Sequence, residues 1–191
     1  MAEFAPASEV VANKGVWTSQ GLKKVVGKAW GRFRYRRCRQ CGILETAALG
    51  HEFITDVLRV RFIREPSQVG SDGLYWFHHS LAYAMLEGAA TVLEVPRQDL
   101  NVTVRTAPGA GHEIVLYDAV PGGAGLVARL QEPDIFREVL SVAHGRVDQC
   151  RGCEPDASCY GCLRHYGNQF AHPRLQRGPV AAFLSEALAA W

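Results

Sequence analysis

The chain of 191 residues carries 48% hydrophobic, 21% charged and 9% aromatic side chains, which suits one good core or two small ones and excludes disordered, collagen-like and coiled-coil classes. Its formal net charge of +2 conceals a segregation, because residues 10–44 hold nine of the 21 Lys and Arg and none of the 19 Asp and Glu. The longest apolar stretches are broken by Glu87, Glu94 and Glu186 and are too short to span a bilayer, and no basic start followed by an apolar run marks a secretory signal, so a cytoplasmic chain without a membrane partner is expected.

Residues 1–29 mix Ala, Ser, Val and Lys with little periodicity and are expected to form an irregular lead-in, with the main domain running over 30–191. Gly21 to Lys28 resembles a phosphate loop superficially. It has five residues between its glycines where the cradle needs four, and Ala29 stands where the magnesium-binding hydroxyl belongs, so no ATPase motif is present. Arg32, Arg34 and Arg36 alternate with Phe33 and Tyr35, which on a strand gathers the cations on one face. With Lys28 and Arg37 they form a candidate nucleic-acid-binding stripe, since clustered cations gain by displacing counterions from phosphates. The competing reading is an edge strand kept soluble by its arginines.

Residues 52–63 read as a strand rich in Ile, Val, Leu and Phe. From Trp76 to Leu93, Phe77, Leu81, Met85, Leu86, Ala89 and Val92 recur at helical spacing and predict the main core helix. NVTVRT and EIVLYDAV, separated by APGAGH, predict a hairpin. Helices are expected over 123–130 and 133–147, and a terminal helix bearing Phe183, Leu184, Leu188 and Trp191 should pack back on the core. The fold class expected is therefore α+β: a small antiparallel sheet packed with several helices, with a C-terminal zinc knot made of four cysteines.

Between the second hairpin strand and the next helix stands LYDAVPGGAGL. A glycine-rich lead into a helix exposes N–H groups that suit an anion; the same residues also suit a tight strand-to-helix corner. Gly-x-Ser-x-Gly and His-Glu-x-x-His are absent. A small metal-dependent nuclease or hydrolase built on Asp56, His79 and Asp118 is the alternative function, although these residues lack diagnostic spacing.

The six cysteines fall as Cys38-x2-Cys41 and Cys150-x2-Cys153-x5-Cys159-x2-Cys162. Zn²⁺ takes four soft ligands at tetrahedral corners, and a two-residue spacer lets one tight turn offer two thiolates; the second group supplies two such turns. Disulfides are opposed by a reducing compartment and by the shortness of a Cys-x2-Cys loop. Cys38 and Cys41, followed by Gly42, look like one zinc-ribbon knuckle and form a possible second metal half-site. Its other half lies on a segment elsewhere or on a partner, or these thiols are free; His51 is a weaker third-ligand candidate.

In chain order, LGHEFITDVLRVRF, SLAYAMLEGAATVLEV, IVLYDAVPGGAGL and CRGCEPDASCYGCLRHYGNQFAHPRLQRG closely resemble the MrfA-type zinc-binding domain, MZB, of certain superfamily 2 DNA helicases and of the DISARM component DrmB. The resemblance covers about residues 30–188. It implies a structural Zn²⁺ on Cys150, Cys153, Cys159 and Cys162, in a non-catalytic module that supports a helicase motor and its engagement of DNA, in repair or antiphage defence. The usual two RecA-like lobes have no room in this chain, so a helicase or ATPase partner, or motor domains on a longer product, is expected. DNA, single-stranded or duplex, is the expected ligand. Arg164, His165, Tyr166, Asn168 and Gln169 follow the knot and suit phosphate and base contacts, while Asn168 and Gln169 equally suit capping or buried carbonyls.

Overall fold

A computed structural model describes residues 54–64, 66, 69–107 and 111–191, together with four short strands nearer the N-terminus. The chain divides into two compact units, Met1–His51 and Glu52–Trp191. In the first, β1 (Glu9–Ala12) pairs antiparallel with β2 (Gly15–Thr18), and β3 (Arg36–Arg37) with β4 (Leu44–Glu45). The ladder of β1 and β2 falls within the stretch expected to be irregular. Val10, Val11, Val16 and Trp17 are strand formers, and Val10 is in register with Trp17.

The second unit is built around α1 (Leu74–Val92), which packs against a sheet and also against two later helices. A helix enclosed in this way must be apolar around most of its circumference. Phe77, Leu81, Met85, Leu86 and Ala89 are all buried. The sheet is antiparallel, with strand order β5 (Val57–Val60), β7 (Gly111–Asp118), β6 (Leu100–Ala107). In register, Leu58 and Val102 flank Leu116, and Val60 and Val104 flank Ile114. Leu116 and Ile114 are fully buried, and these rows pack into the core with α1.

Among the described residues of the strand expected over 52–63, the ladder runs over Val57–Val60. Upstream, the chain binds a turn instead: Thr55 Oγ1 donates to the Asp118 carbonyl at 2.7 Å, and Gly122 N donates to the Ile54 carbonyl at 2.7 Å. The predicted hairpin is present as β6 and β7. The helix expected over 123–130 is a single turn, α2 (Leu126–Arg129).

α3 (Pro133–Asp148) starts with proline at its first turn, where no N–H is needed. It buries Val139, Leu140, Ala143 and Val147 at helical spacing against α1. α4 (Arg177–Ala189) packs on α3 and α1, burying Phe183 and Leu184 as expected. Residues 150–176 therefore run from the end of α3 to the start of α4, and the cysteine quartet lies in this connection. Among the described residues, no helix is long and apolar enough to cross a membrane.

Candidate metal centre

Two turns of the same design build the site. Cys150-Arg-Gly-Cys153 follows the C-terminus of α3, and Cys159-Tyr-Gly-Cys162 comes six residues after it. The four sulfurs all lie within 4.8 Å of one another. Cys150 to Cys159 is 3.4 Å, Cys153 to Cys162 is 3.7 Å, Cys159 to Cys162 is 3.8 Å and Cys150 to Cys153 is 3.9 Å. Sulfurs placed about 2.3 Å from a central Zn²⁺ stand about 3.8 Å apart along a tetrahedron's edges. A disulfide would need about 2.05 Å. The donor set and its spacing fit Zn²⁺, and all four thiols are free of cross-links.

The third residue of each turn is glycine, and at Gly152 space beside a sulfur is tight. A Cβ at Gly152 would stand 3.0 Å from Cys159 Sγ, and one at Gly161 would stand 3.4 Å from the same sulfur. Cys159 N–H donates to Cys162 Sγ at 3.2 Å, the kind of backbone support that orients thiolate ligands. Burial, reinforced by the neighbouring thiols, pushes Cys153 up to about 12. Burial also opposes ionisation of Cys159, yet hydrogen bonds from Cys150 and the Gly161 backbone bring it down to about 7. The quartet thus contains one thiol that ionises readily, the form a metal binds.

Arginines hold the turns from behind. Arg177, the first residue of α4, donates from Nε to the Cys153 carbonyl at 3.1 Å and from Nη1 to the Val147 carbonyl at 3.0 Å. Arg146 on α3 donates from Nε to the Cys162 carbonyl at 3.0 Å, and its Nη2 lies 3.2 Å from Glu87 Oε2 on α1. Backbone bonds from Arg177 N to Ala157 O and from Gly178 N to Pro155 O stitch the loop to α4.

Residues 81–163, which include all four cysteines, match the family model described as MZB, the MrfA Zn-binding domain. Druantia protein DruE of Escherichia coli (strain UMEA 4076-1) is 30% identical over 158 residues, covering 73% of this chain and 8% of the relative. The chain therefore spans about 8% of that protein's length. A crystal structure of the DUF1998 helicase MrfA bound to DNA is similar at a TM-score of 0.49 and 18% identity, over 65% of this chain and 16% of that chain.

Beyond its sulfurs, the chain places the residues expected to touch nucleic acid in varied settings. Arg164 Nε donates to Ser158 Oγ at 2.9 Å, and its Nη2 reaches the His172 carbonyl at 3.5 Å. His165 Nδ1 accepts from Gly167 N–H at 3.0 Å, and Arg97 Nη1 lies 3.4 Å from its Nε2. Burial, then Arg97 and His172, lowers the His165 pKa to about 4. Asn168 is fully buried and serves the backbone: Oδ1 accepts from His165 N–H at 2.8 Å, and Nδ2 donates to the Leu163 carbonyl at 2.9 Å. Gln169, by contrast, is exposed. Lys28, Arg32, Arg34, Cys38, Cys41 and His51 lie outside the described residues, and Arg36 and Arg37 are described only as the strand β3.

The glycine-rich corner binds an anion of its own. Asp118, fully buried at the end of β7, accepts from Ala124 N (2.7 Å) and Leu126 N (3.0 Å) on Oδ2 and from Val127 N (2.9 Å) on Oδ1. The chain can wrap the carboxylate because Gly122, Gly123 and Gly125 adopt φ of 94°, 78° and 72°. His79 is 7% exposed, lies among the rings of Tyr75, Trp76 and Tyr83, and has an Nε2 without a hydrogen-bond partner among the described residues. Asp56 is exposed beside Gly123.

Proposed function

We propose that the chain is a non-catalytic zinc-binding module of helicase-type DNA-processing machinery, acting in repair or antiphage defence and contacting DNA, a motor partner or both. The observation that carries this reading is the sulfur quartet, with four separations of 3.4–3.9 Å and all within 4.8 Å, inside the segment that matches the MrfA Zn-binding domain. Cys150, Cys153, Cys159 and Cys162 would hold the ion. Zn²⁺ supplies rigidity there, because metal-binding energy is folding energy in a loop with so little core of its own. Arg146 and Arg177 convey that rigidity to α3 and α4 through the carbonyls of Cys162 and Cys153.

Charge supports a polyanionic ligand. Residues 10–44 are purely basic among their ionisable carboxylate and cationic groups, and residues 157–185 contain arginines but no Asp or Glu. Cys38 and Cys41 are proposed as half of a second metal site. A hydrolytic centre on Asp56, His79 and Asp118 finds less support, because three backbone N–H groups already fill the Asp118 carboxylate. The test is metal analysis of the purified chain combined with DNA titrations at two salt concentrations. At least one zinc per chain, salt-sensitive binding and no cleavage are expected; a metal-free quartet or divalent-dependent turnover would overturn the reading.

A further inference from the structure

Aromatic rings usually remove about 150–250 Å² each from water on folding, yet three in the segment after the first knuckle do not. Tyr160 is 63% exposed, Tyr166 86% and Phe170 69%. They stand on a firmly tied stretch. The ring of Tyr160 meets His172 edge-on at 5.5 Å, and His172 Nε2 donates to Asn168 Oδ1 at 2.8 Å and to the His165 carbonyl at 3.1 Å. Asn168 in turn holds His165 N and the Leu163 carbonyl beside Cys162. Hydrogen-bonded backbone therefore presents rings whose positions cost little further ordering when a ligand arrives.

The surrounding charge selects the ligand. From Ala157 to Ser185 the chain has Arg164, Arg174 and Arg177 and no acidic residue. Arg174 is exposed, with its guanidinium carbon 5.9 Å from the centroid of the Trp76 ring. Exposed rings on a segment that carries arginines and no carboxylate of its own suit unpaired bases and their phosphates, since every base offers a face for stacking and the backbone is attracted by the cations; Glu154 and Asp156 lie on the exposed loop just before it. A duplex hides those faces. We infer that Tyr160, Tyr166 and Phe170 form a base-stacking platform for single-stranded DNA. This rests on the DNA-contacting role proposed above, and it replaces Asn168, which is buried, with the rings around it.

The experiment uses the zinc-loaded full chain and fluorescence anisotropy with three labelled probes: a thymidine oligonucleotide, an abasic strand of equal length and a blunt hairpin duplex. The thymidine strand should bind tightest. Tyr166→Ala and Phe170→Ala should each weaken it by about fivefold or more, with zinc content and the salt slope retained and little change for the abasic strand. Tyr166→Phe should bind as the parent does. If the Tyr160→Ala, Tyr166→Ala and Phe170→Ala triple variant binds thymidine like the parent, the platform is wrong while DNA contact elsewhere stands. Equal losses on the abasic strand would also refute stacking. A parent chain that binds no probe at low salt would remove both the platform and the DNA-contacting role.

Discussion

Arg177 reaches back from the first turn of α4 to the carbonyl of Cys153, 24 residues earlier, with Nε at 3.1 Å. Its Nη1 takes the Val147 carbonyl as well, so one guanidinium joins the end of α3, the first knuckle and the start of α4. Hydrogen bonds from charged donors contribute about 1.5–3 kcal/mol each. Arg177→Ala should therefore lower stability by about 2–3 kcal/mol and speed zinc capture by a colorimetric chelator. Unchanged chelation kinetics would mean that the knuckle holds its shape without the clamp.

Removing a sulfur should do more. Cys159 makes the closest approach to Cys150 and also accompanies Cys162 at 3.8 Å. Cys159→Ser should release zinc and unfold residues 150–176, seen as loss of metal by elemental analysis and early melting by circular dichroism. Zinc retained with an unchanged melting curve would contradict a structural metal.

Asp118 offers a comparison away from the metal. In Asp118→Asn, an amide would present one acceptor oxygen and an NH2 group to the three N–H donors of Ala124, Leu126 and Val127. A buried donor left unmatched costs about 1–3 kcal/mol. Chemical denaturation should show a loss of about 3 kcal/mol with zinc stoichiometry unaltered. A neutral substitution would indicate that water replaces the carboxylate.

The sequence shows much of this arrangement wherever a pattern is local. The helical spacing of Phe77, Leu81 and Met85 locates α1, the alternation in NVTVRT and EIVLYDAV locates the hairpin, and paired Cys-x2-Cys turns locate the sulfur cluster. The glycine repeated at the third position of both turns is equally visible, although the tight space beside Cys159 at Gly152 needs the fold. Partners brought together by folding leave no local trace. Nothing near Arg146 or Arg177 in sequence announces a carbonyl of Cys162 or Cys153. The anion at the glycine-rich corner belongs to the protein itself, because the fold returns Asp118 to the N–H groups that follow it.

His165 should make stability depend on acid. Its Nδ1 already accepts a hydrogen bond from Gly167, so a second proton would set N–H against N–H beside the Arg97 guanidinium. With the folded value at about 4 and the unfolded one at about 6.5, the unfolded chain binds the proton first as pH falls. Stability is thus full above about pH 6.5, declines down to about pH 4 and loses nothing further from this group below that. Allowing for the ring's partial exposure, the amplitude is about 1–2 kcal/mol. Denaturation at about pH 7 and about pH 5.5 should show this slope, and His165→Asn should flatten it. Metal loss is followed separately, since protonation of the thiolates also weakens zinc binding in acid.

Gly88 sets two effects of opposite sign against each other. In an exposed helix interior, glycine to alanine stabilises by about 1 kcal/mol. At Gly88, however, a Cβ would stand 2.5 Å from the Val139 carbonyl oxygen and 3.3 Å from the Ala143 Cβ, so the backbones of α1 and α3 are too close to admit it. Overpacking of this kind costs about 1–3 kcal/mol, and the obstacle is main chain, which cannot rotate aside. Gly88→Ala should therefore destabilise by about 1–2 kcal/mol, whereas Gly145→Ala on α3, where a Cβ meets nothing within 4 Å, should stabilise. Because α3 leads directly into Cys150, the displaced helix in Gly88→Ala should also accelerate zinc loss to a chelator. A stabilised Gly88→Ala variant with normal zinc retention would show that the two helices pack less closely than the 2.5 Å approach requires.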